Sequence, residues 1–178
     1  VEVREQLPVF AMEIFGTGAS KAGLLALDMT RPQSALFAAQ LASTQTVDTI
    51  LNVINVGATA VDLTLEAYDE SGSLVKTVKE PRLAAGQQYR KAASEIFSFG
   101  RDVIGWARIK ATDGELVGCL SFSDTAGTFM ASLPLQSRPA REFVFGHIAQ
   151  TGETFTGVTL LNAGDDYAQV SLEVLDHT

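Results

Sequence analysis

The chain has one cysteine, Cys119, and two histidines, His147 and His177, among 178 residues. A single thiol excludes an intrachain disulfide, and with no Cys or His pair at short spacing a structural zinc site lacks its ligands. Acid–base and nucleophilic catalysis usually needs a histidine held by a second group. His147 lies in the apolar stretch 143–148, where a polar residue at a strand edge is the simpler role, and His177 is penultimate. Glycine motifs for phosphate are also missing: Gly16-Thr17-Gly18 is too short and sits in a turn context. No apolar run reaches the roughly 18 residues of a membrane span. Basic residues are scarce as well, 13 Lys and Arg against 21 Asp and Glu, for a net charge of -8. That field repels phosphate backbones and anionic lipid, so neither nucleic acid nor membrane insertion is expected. The one basic cluster, Arg82, Arg90 and Lys91, reads as solvated surface. Val1-Glu2-Val3-Arg4 shows no initiator Met and no signal-peptide pattern, the start expected of a mature or excised fragment.

What is present is apolar alternation, in a chain 46% hydrophobic and long enough to bury a core. Displacing the sequence by the separation of Phe15 from Phe122, 107 residues, aligns 1–71 with 108–178 without a gap. Twelve positions are then identical, where about four or five would match by chance. They include Arg31/Arg138, Pro32/Pro139, Thr49/Thr156, Asn55/Asn162, Gly57/Gly164 and Leu65/Leu172. Polar and apolar positions also stay in phase, with Val61-Asp-Leu-Thr-Leu-Glu-Ala67 facing Ala168-Gln-Val-Ser-Leu-Glu-Val174. Both segments alternate with the period of two that a half-buried strand requires. A period near 107 suits tandem sandwich domains rather than solenoid units of about 20 to 50 residues.

The complete unit, residues 36–137, reads as a series of short strands. Strands are expected over 35–41, 48–56, 61–68 and 74–78, the last two joined at Asp69-Glu-Ser-Gly72. Pro81 is expected to stop the sheet, and 91–97 to form one short helix. Strands over 105–110 and 116–123 flank the hairpin dipeptide Asp113-Gly114, and 128–135 adds another. Trp106 is expected in the core, as is Cys119 in the role of a small hydrophobe. The fold class is therefore all-β, an antiparallel β-sandwich.

Thr49-x-Leu51-x-x-x-Asn55-x-Gly57, then Val61-x-Leu63-x-Leu65-x-x-Tyr68-Asp69-x-x-Gly72, with Leu83-x-x-Gly86, Gly105-Trp-Ala-Arg108 and Gly118-x-x-x-Phe122, resembles immunoglobulin-like sandwich repeats of bacterial secreted and cell-surface proteins. The resemblance covers residues 36 to 135 and its motifs are structural: turn glycines, a tryptophan and alternating aliphatics. It departs from antibody domains in lacking the two bridging cysteines. It implies an extracellular or cell-envelope location and a spacer, adhesive or accessory role without catalysis or cofactor.

Two functions from different classes follow as expectations. The leading one is a structural or adhesive module. The alternative is a carbohydrate- or peptide-binding module that would use exposed aromatics, with Tyr89, Phe97, Phe99 and Tyr167 as candidate contacts. The acidic turns Asp69-Glu70-Ser71 and Asp165-Asp166 carry carboxylates but lack the spacing of a calcium loop, and turn chemistry accounts for them. Glu66 with Asp69, and Asp113 with Glu115, fall on outward strand positions and turns, where a solvated role is expected rather than a glycosidase pair. Residues 1–35 and 141–178 read as partial units that pair into a second sandwich, within one chain or between two as a homo-oligomer.

Overall fold

The computed structural model describes residues 11–17, 20–146, 148–149, 151 and 155–174. The expectations for His147 and His177 fall outside the described residues. The chain divides into two units, Val1–Arg138 and Pro139–Thr178.

Among the described residues of the first unit, ten strands and one helix follow in order: β1 (Met12–Thr17), β2 (Ser20–Leu25), β3 (Ala35–Ser43), β4 (Val47–Asn55), β5 (Val61–Asp69), β6 (Leu74–Leu83), β7 (Gln88–Ala92), α1 (Ala93–Phe97), β8 (Val103–Ala111), β9 (Leu116–Asp124) and β10 (Met130–Pro134). The fold is all-β and antiparallel. One layer runs β3-β8-β5-β6, and a second runs β10-β9-β4 with β7 on the other edge of β4. The two layers meet where β3 passes into β4 at Ser43 and Asp48, and the hairpin β1-β2 forms a separate small sheet. This arrangement is consistent with a β-sandwich.

Alternation decides which side of each strand is buried. Leu63, Leu65 and Ala67 of β5 and Ala107 and Ile109 of β8 point inward, where they meet Leu51 and Val53 of β4. Helix α1 closes the core by inserting Ala93, Ile96 and Phe97. Its start is held by the Glu95 carboxylate, which accepts from the Ala92 N–H at 3.3 Å, and it ends at Ser98 in the left-handed region. Asn55, fully buried at the end of β4, ties three segments together. Its Nδ2 donates to the Thr59 carbonyl at 2.7 Å and the Leu83 carbonyl at 3.0 Å, and its Oδ1 accepts from the Gly57 N–H at 3.1 Å.

Three expectations need correction. Pro81 does not stop the sheet, because β6 runs on to Leu83 along the layer's edge. The register slips by one residue between Leu63↔Glu80 and Val61↔Leu83, with Arg82 at φ 56, so the proline falls in a bulge on an edge strand where no ladder donor is needed. Trp106 is half-buried on the outer face rather than in the core, since β8 turns Ala107 and Ile109 inward and Trp106, Arg108 and Lys110 outward. Cys119 is also half-buried, on the face of β9 opposite the buried Leu120.

The N-terminal hairpin has two unlike faces. Ser20, Ala22 and Leu24 are buried, and the Ser20 hydroxyl donates to the Gly127 carbonyl beside β10. Met12, Ile14 and Leu25 are exposed.

The second unit shows no named strand among its described residues, although 168–174 carries a strand's alternation. Alternation supplies two faces, but a strand is completed only by a hydrogen-bonded neighbour. Its local geometry nevertheless repeats that of β3 to β5. The Ala149 N–H donates to Thr156 Oγ1 at 2.9 Å, as Ala42 does to Thr49 at 2.9 Å. Asn162 Nδ2 donates to the Asp166 carbonyl at 2.7 Å and Oδ1 accepts from Gly164 at 3.1 Å, matching Asn55 with Thr59 and Gly57. Phe143, Phe145, Ile148, Val158, Leu160 and Leu172 stand 107 positions after Leu36, Ala38, Leu41, Leu51, Val53 and Leu65. The earlier six are no more than 2% exposed, and the later six at least 41%.

Candidate functional site

The outer face of the β3-β8-β5 layer gathers the polar and aromatic side chains that alternation turns away from the core. Register sets Tyr68 opposite Trp106 and Glu66 opposite Arg108 across β5 and β8. The Tyr68 and Trp106 rings stack in parallel, 3.9 Å between centroids and 3° between planes, and Phe37 tilts toward Trp106 at 6.5 Å. Gly105 makes the close approach of these strands possible, because a Cβ there would lie 2.0 Å from the Tyr68 carbonyl oxygen.

Glu66 is the centre of the charges. Its carboxylate accepts from Arg108 Nε at 2.7 Å, Lys110 Nζ at 2.7 Å and the Tyr68 hydroxyl at 3.1 Å, while Arg108 Nη2 donates to the Tyr68 oxygen at 2.9 Å. The Arg108 guanidinium also lies over the Tyr68 ring, 5.7 Å from its centroid. Glu66 is thus not the solvated surface acid expected from its outward position; it is covered and multiply hydrogen-bonded. Burial pushes its carboxyl up, but the hydrogen bonds from Lys110, Arg108 and Tyr68 outweigh this and hold it below its usual value. Burial and the Glu66 hydrogen bond raise the Tyr68 phenol.

A carboxyl depressed in the folded chain stabilises the fold above its unfolded value of 4.5, and that contribution is lost as pH falls through the lower folded value. Glu66→Gln is therefore expected to shrink the drop in urea midpoint between neutral pH and about pH 3, relative to the parent chain. An unchanged drop would mean that the Glu66 cluster contributes nothing to acid sensitivity.

Of the four expected ligand-contact aromatics, the three in the first unit, Tyr89, Phe97 and Phe99, do not gather here. Phe97 is fully buried and Tyr89 is 9% exposed, its hydroxyl donating to Glu80 at 3.2 Å, so neither offers a ring face to a ligand. Burial and the Glu80 charge raise the Tyr89 phenol strongly. Phe99 is half-buried and stacked on Phe97 at 5.1 Å. Tyr167 is fully exposed in the second unit. For Phe97 and Phe99 the burial has a physical source: the segment after β7 folds back as α1 and carries these two rings to the core. The outer-face cluster was within reach of the same alternation, since Trp106, Arg108 and Lys110 share a phase, as do Glu66 and Tyr68.

The Asp69 carboxylate is engaged with its own turn. Asp69 Oδ1 accepts from the N–H groups of Ser71 and Ser73, both at 3.0 Å, and these bonds with the Ser71 hydroxyl hold its carboxyl below the usual range. A glycosidase acid requires the opposite shift. A surface depression of about 310 Å³ lies beside this turn, between Asp69–Ser71 and Arg101–Ile104. Among the described residues, no group of three or more His, Cys, Asp or Glu is placed to hold a metal ion. No helix among them is long and apolar enough to cross a membrane.

The fold and this outer face define an all-β antiparallel protein with a sandwich-like double layer. A comparison with protein-family models, curated proteins and solved structures finds no match for the chain.

Proposed function

We propose that the chain is a stretch of a tandem array of immunoglobulin-like β-sandwiches, acting without catalysis as a spacer or adhesive module of a secreted or cell-surface protein. One observation carries this reading: the hydrogen bonds of Thr49, Asn55 and Gly57 recur at Thr156, Asn162 and Gly164 with the same lengths and the same 107-residue spacing as the sequence identities. Asn55 and Gly57 are turn-forming residues at the end of a core strand, and such contacts serve a fold rather than a substrate. The Tyr68–Trp106–Phe37 stack fits the same role, because the facing Tyr68 and Trp106 rings cover each other and staple β5 to β8.

Hydrogen exchange read by mass spectrometry tests the repeat. Peptides covering 155–174 should be protected well beyond a random coil, as strands of a second sandwich, alongside the stronger protection of β4 and β5. Exchange at the coil rate across 155–174 would remove the tandem reading.

A further inference from the structure

The Tyr68–Trp106 pair has a property that packing alone does not use. Trp106 is the only tryptophan of the chain, and its ring lies against that of Tyr68 with centroids 3.9 Å apart and planes within 3°. At that separation the two π systems touch, so an electron passes from one ring to the other without an intermediary. The Tyr68 hydroxyl meanwhile donates to Glu66 Oε2 at 3.1 Å and accepts from Arg108 Nη2 at 2.9 Å. One ring thus has an indole on its face and a carboxylate at its proton, and Arg108 and Lys110 hold that carboxylate at 2.7 Å each.

Removing an electron from a phenol turns its hydroxyl into a strong acid, and the oxidised ring is stable only once that proton has gone. The Arg108 guanidinium, 5.7 Å from the Tyr68 ring centroid, adds to the cost of leaving positive charge on the ring. Glu66 relieves both, because it is covered and already accepts the phenolic O–H. Its carboxyl is held below the usual value, yet the oxidised phenol is a far stronger acid, so the proton still moves to it. Once the proton has left, a tyrosine carries the oxidised state more stably than a tryptophan, which sets the direction from Trp106 to Tyr68. Phe37, the other ring beside Trp106 at 6.5 Å, holds its electrons too tightly to take part.

We propose that Trp106, Tyr68 and Glu66 form a radical relay, in which an oxidising equivalent that reaches the indole passes to the phenol as the phenolic proton passes to the carboxylate. A one-electron oxidant of the small-radical class takes one electron from Trp106 and is itself reduced. Tyr68 returns one electron to the indole, its O–H bond breaks, and a new O–H bond forms at Glu66 Oε2. Trp106 is restored, Tyr68 is left as a neutral phenoxyl radical, and Glu66 then releases the proton to solvent. Tyr68 is therefore the sink for oxidation that would otherwise stay on the single tryptophan. All three residues lie in the first unit, so the relay does not depend on the tandem reading.

Pulse radiolysis of the full chain at neutral pH tests this, with the azide radical as an oxidant that takes indole in preference to phenol. The indolyl absorption is expected to decay as the phenoxyl absorption grows, at a rate independent of protein concentration. Tyr68→Phe keeps a ring on Trp106 but removes the donor, so the indolyl radical should persist without that growth. Glu66→Gln keeps an acceptor oxygen but no base, and transfer should slow by about a hundredfold, the low end of what a positioned proton acceptor contributes. Tyr89→Phe, which alters a tyrosine of the core cluster, should leave the rate unchanged. Heavy water should slow transfer in the parent chain by about twofold, because the proton moves with the electron, and this readout needs no variant to fold. An indolyl radical of equal lifetime in the parent and Tyr68→Phe would overturn the relay. So would a rate that scales with protein concentration, or one indifferent to both Glu66→Gln and heavy water.

Discussion

Phe97→Ala is expected to lower the unfolding free energy by about 3 to 5 kcal/mol, the usual cost of truncating a buried aromatic and leaving a cavity. Phe97 is the largest fully buried side chain among the described residues, placed by α1 in the cluster formed by both layers and stacked on Phe99. A short helix of five residues is anchored chiefly by what it buries, so the loss should free Ala93 to Phe97 as well. Domains of this size are stable by about 5 to 15 kcal/mol, which makes the shift in urea midpoint large. A change below about 1 kcal/mol would mean that the site collapses around the gap or that Phe97 lies outside the core.

Asn55→Leu should be nearly as damaging, and for an electrostatic reason. Leucine has a similar volume but none of the three hydrogen bonds that the Asn55 side chain makes. The Leu83 carbonyl loses its Asn55 partner inside the protein, while the Thr59 carbonyl, on an exposed residue, regains water. With about 1 to 3 kcal/mol for a buried group left unpaired, a loss of about 3 kcal/mol is expected in urea titrations. A neutral result would show that water enters the Gly57 turn and takes over these bonds.

Much of the architecture was legible because strand alternation is a local property. Val61 to Ala67 puts its aliphatics on one face whatever the neighbours, and Asp69-Glu-Ser-Gly72 makes its turn from the Asp69 carboxylate and a glycine at φ 82. The 107-residue offset needed only the chain itself. Pro81 was misread because the cost of its missing N–H depends on whether a strand lies at an edge, and pairing order is set by residues far away in sequence. Trp106 and Phe97 exchanged their expected places for a similar reason. Parity says that Trp106 and Ala107 face opposite ways, but which way is inward follows from the second layer laid across β8. The Glu66, Arg108, Tyr68 cluster likewise draws on residues about 40 positions apart, joined by the β5-β8 register.

Composition and alternation alone therefore specified an all-β chain with one thiol and no disulfide, because these depend on residue type and on neighbours two positions away, and the sequence itself carries the 107-residue offset that aligns 1–71 with 108–178. Strand order, the inward side of β8, the bulge at Pro81 and the charge cluster around Glu66 came from long-range pairing. Hydrogen bonds between distant strands carry no signature in either strand until the two are brought together.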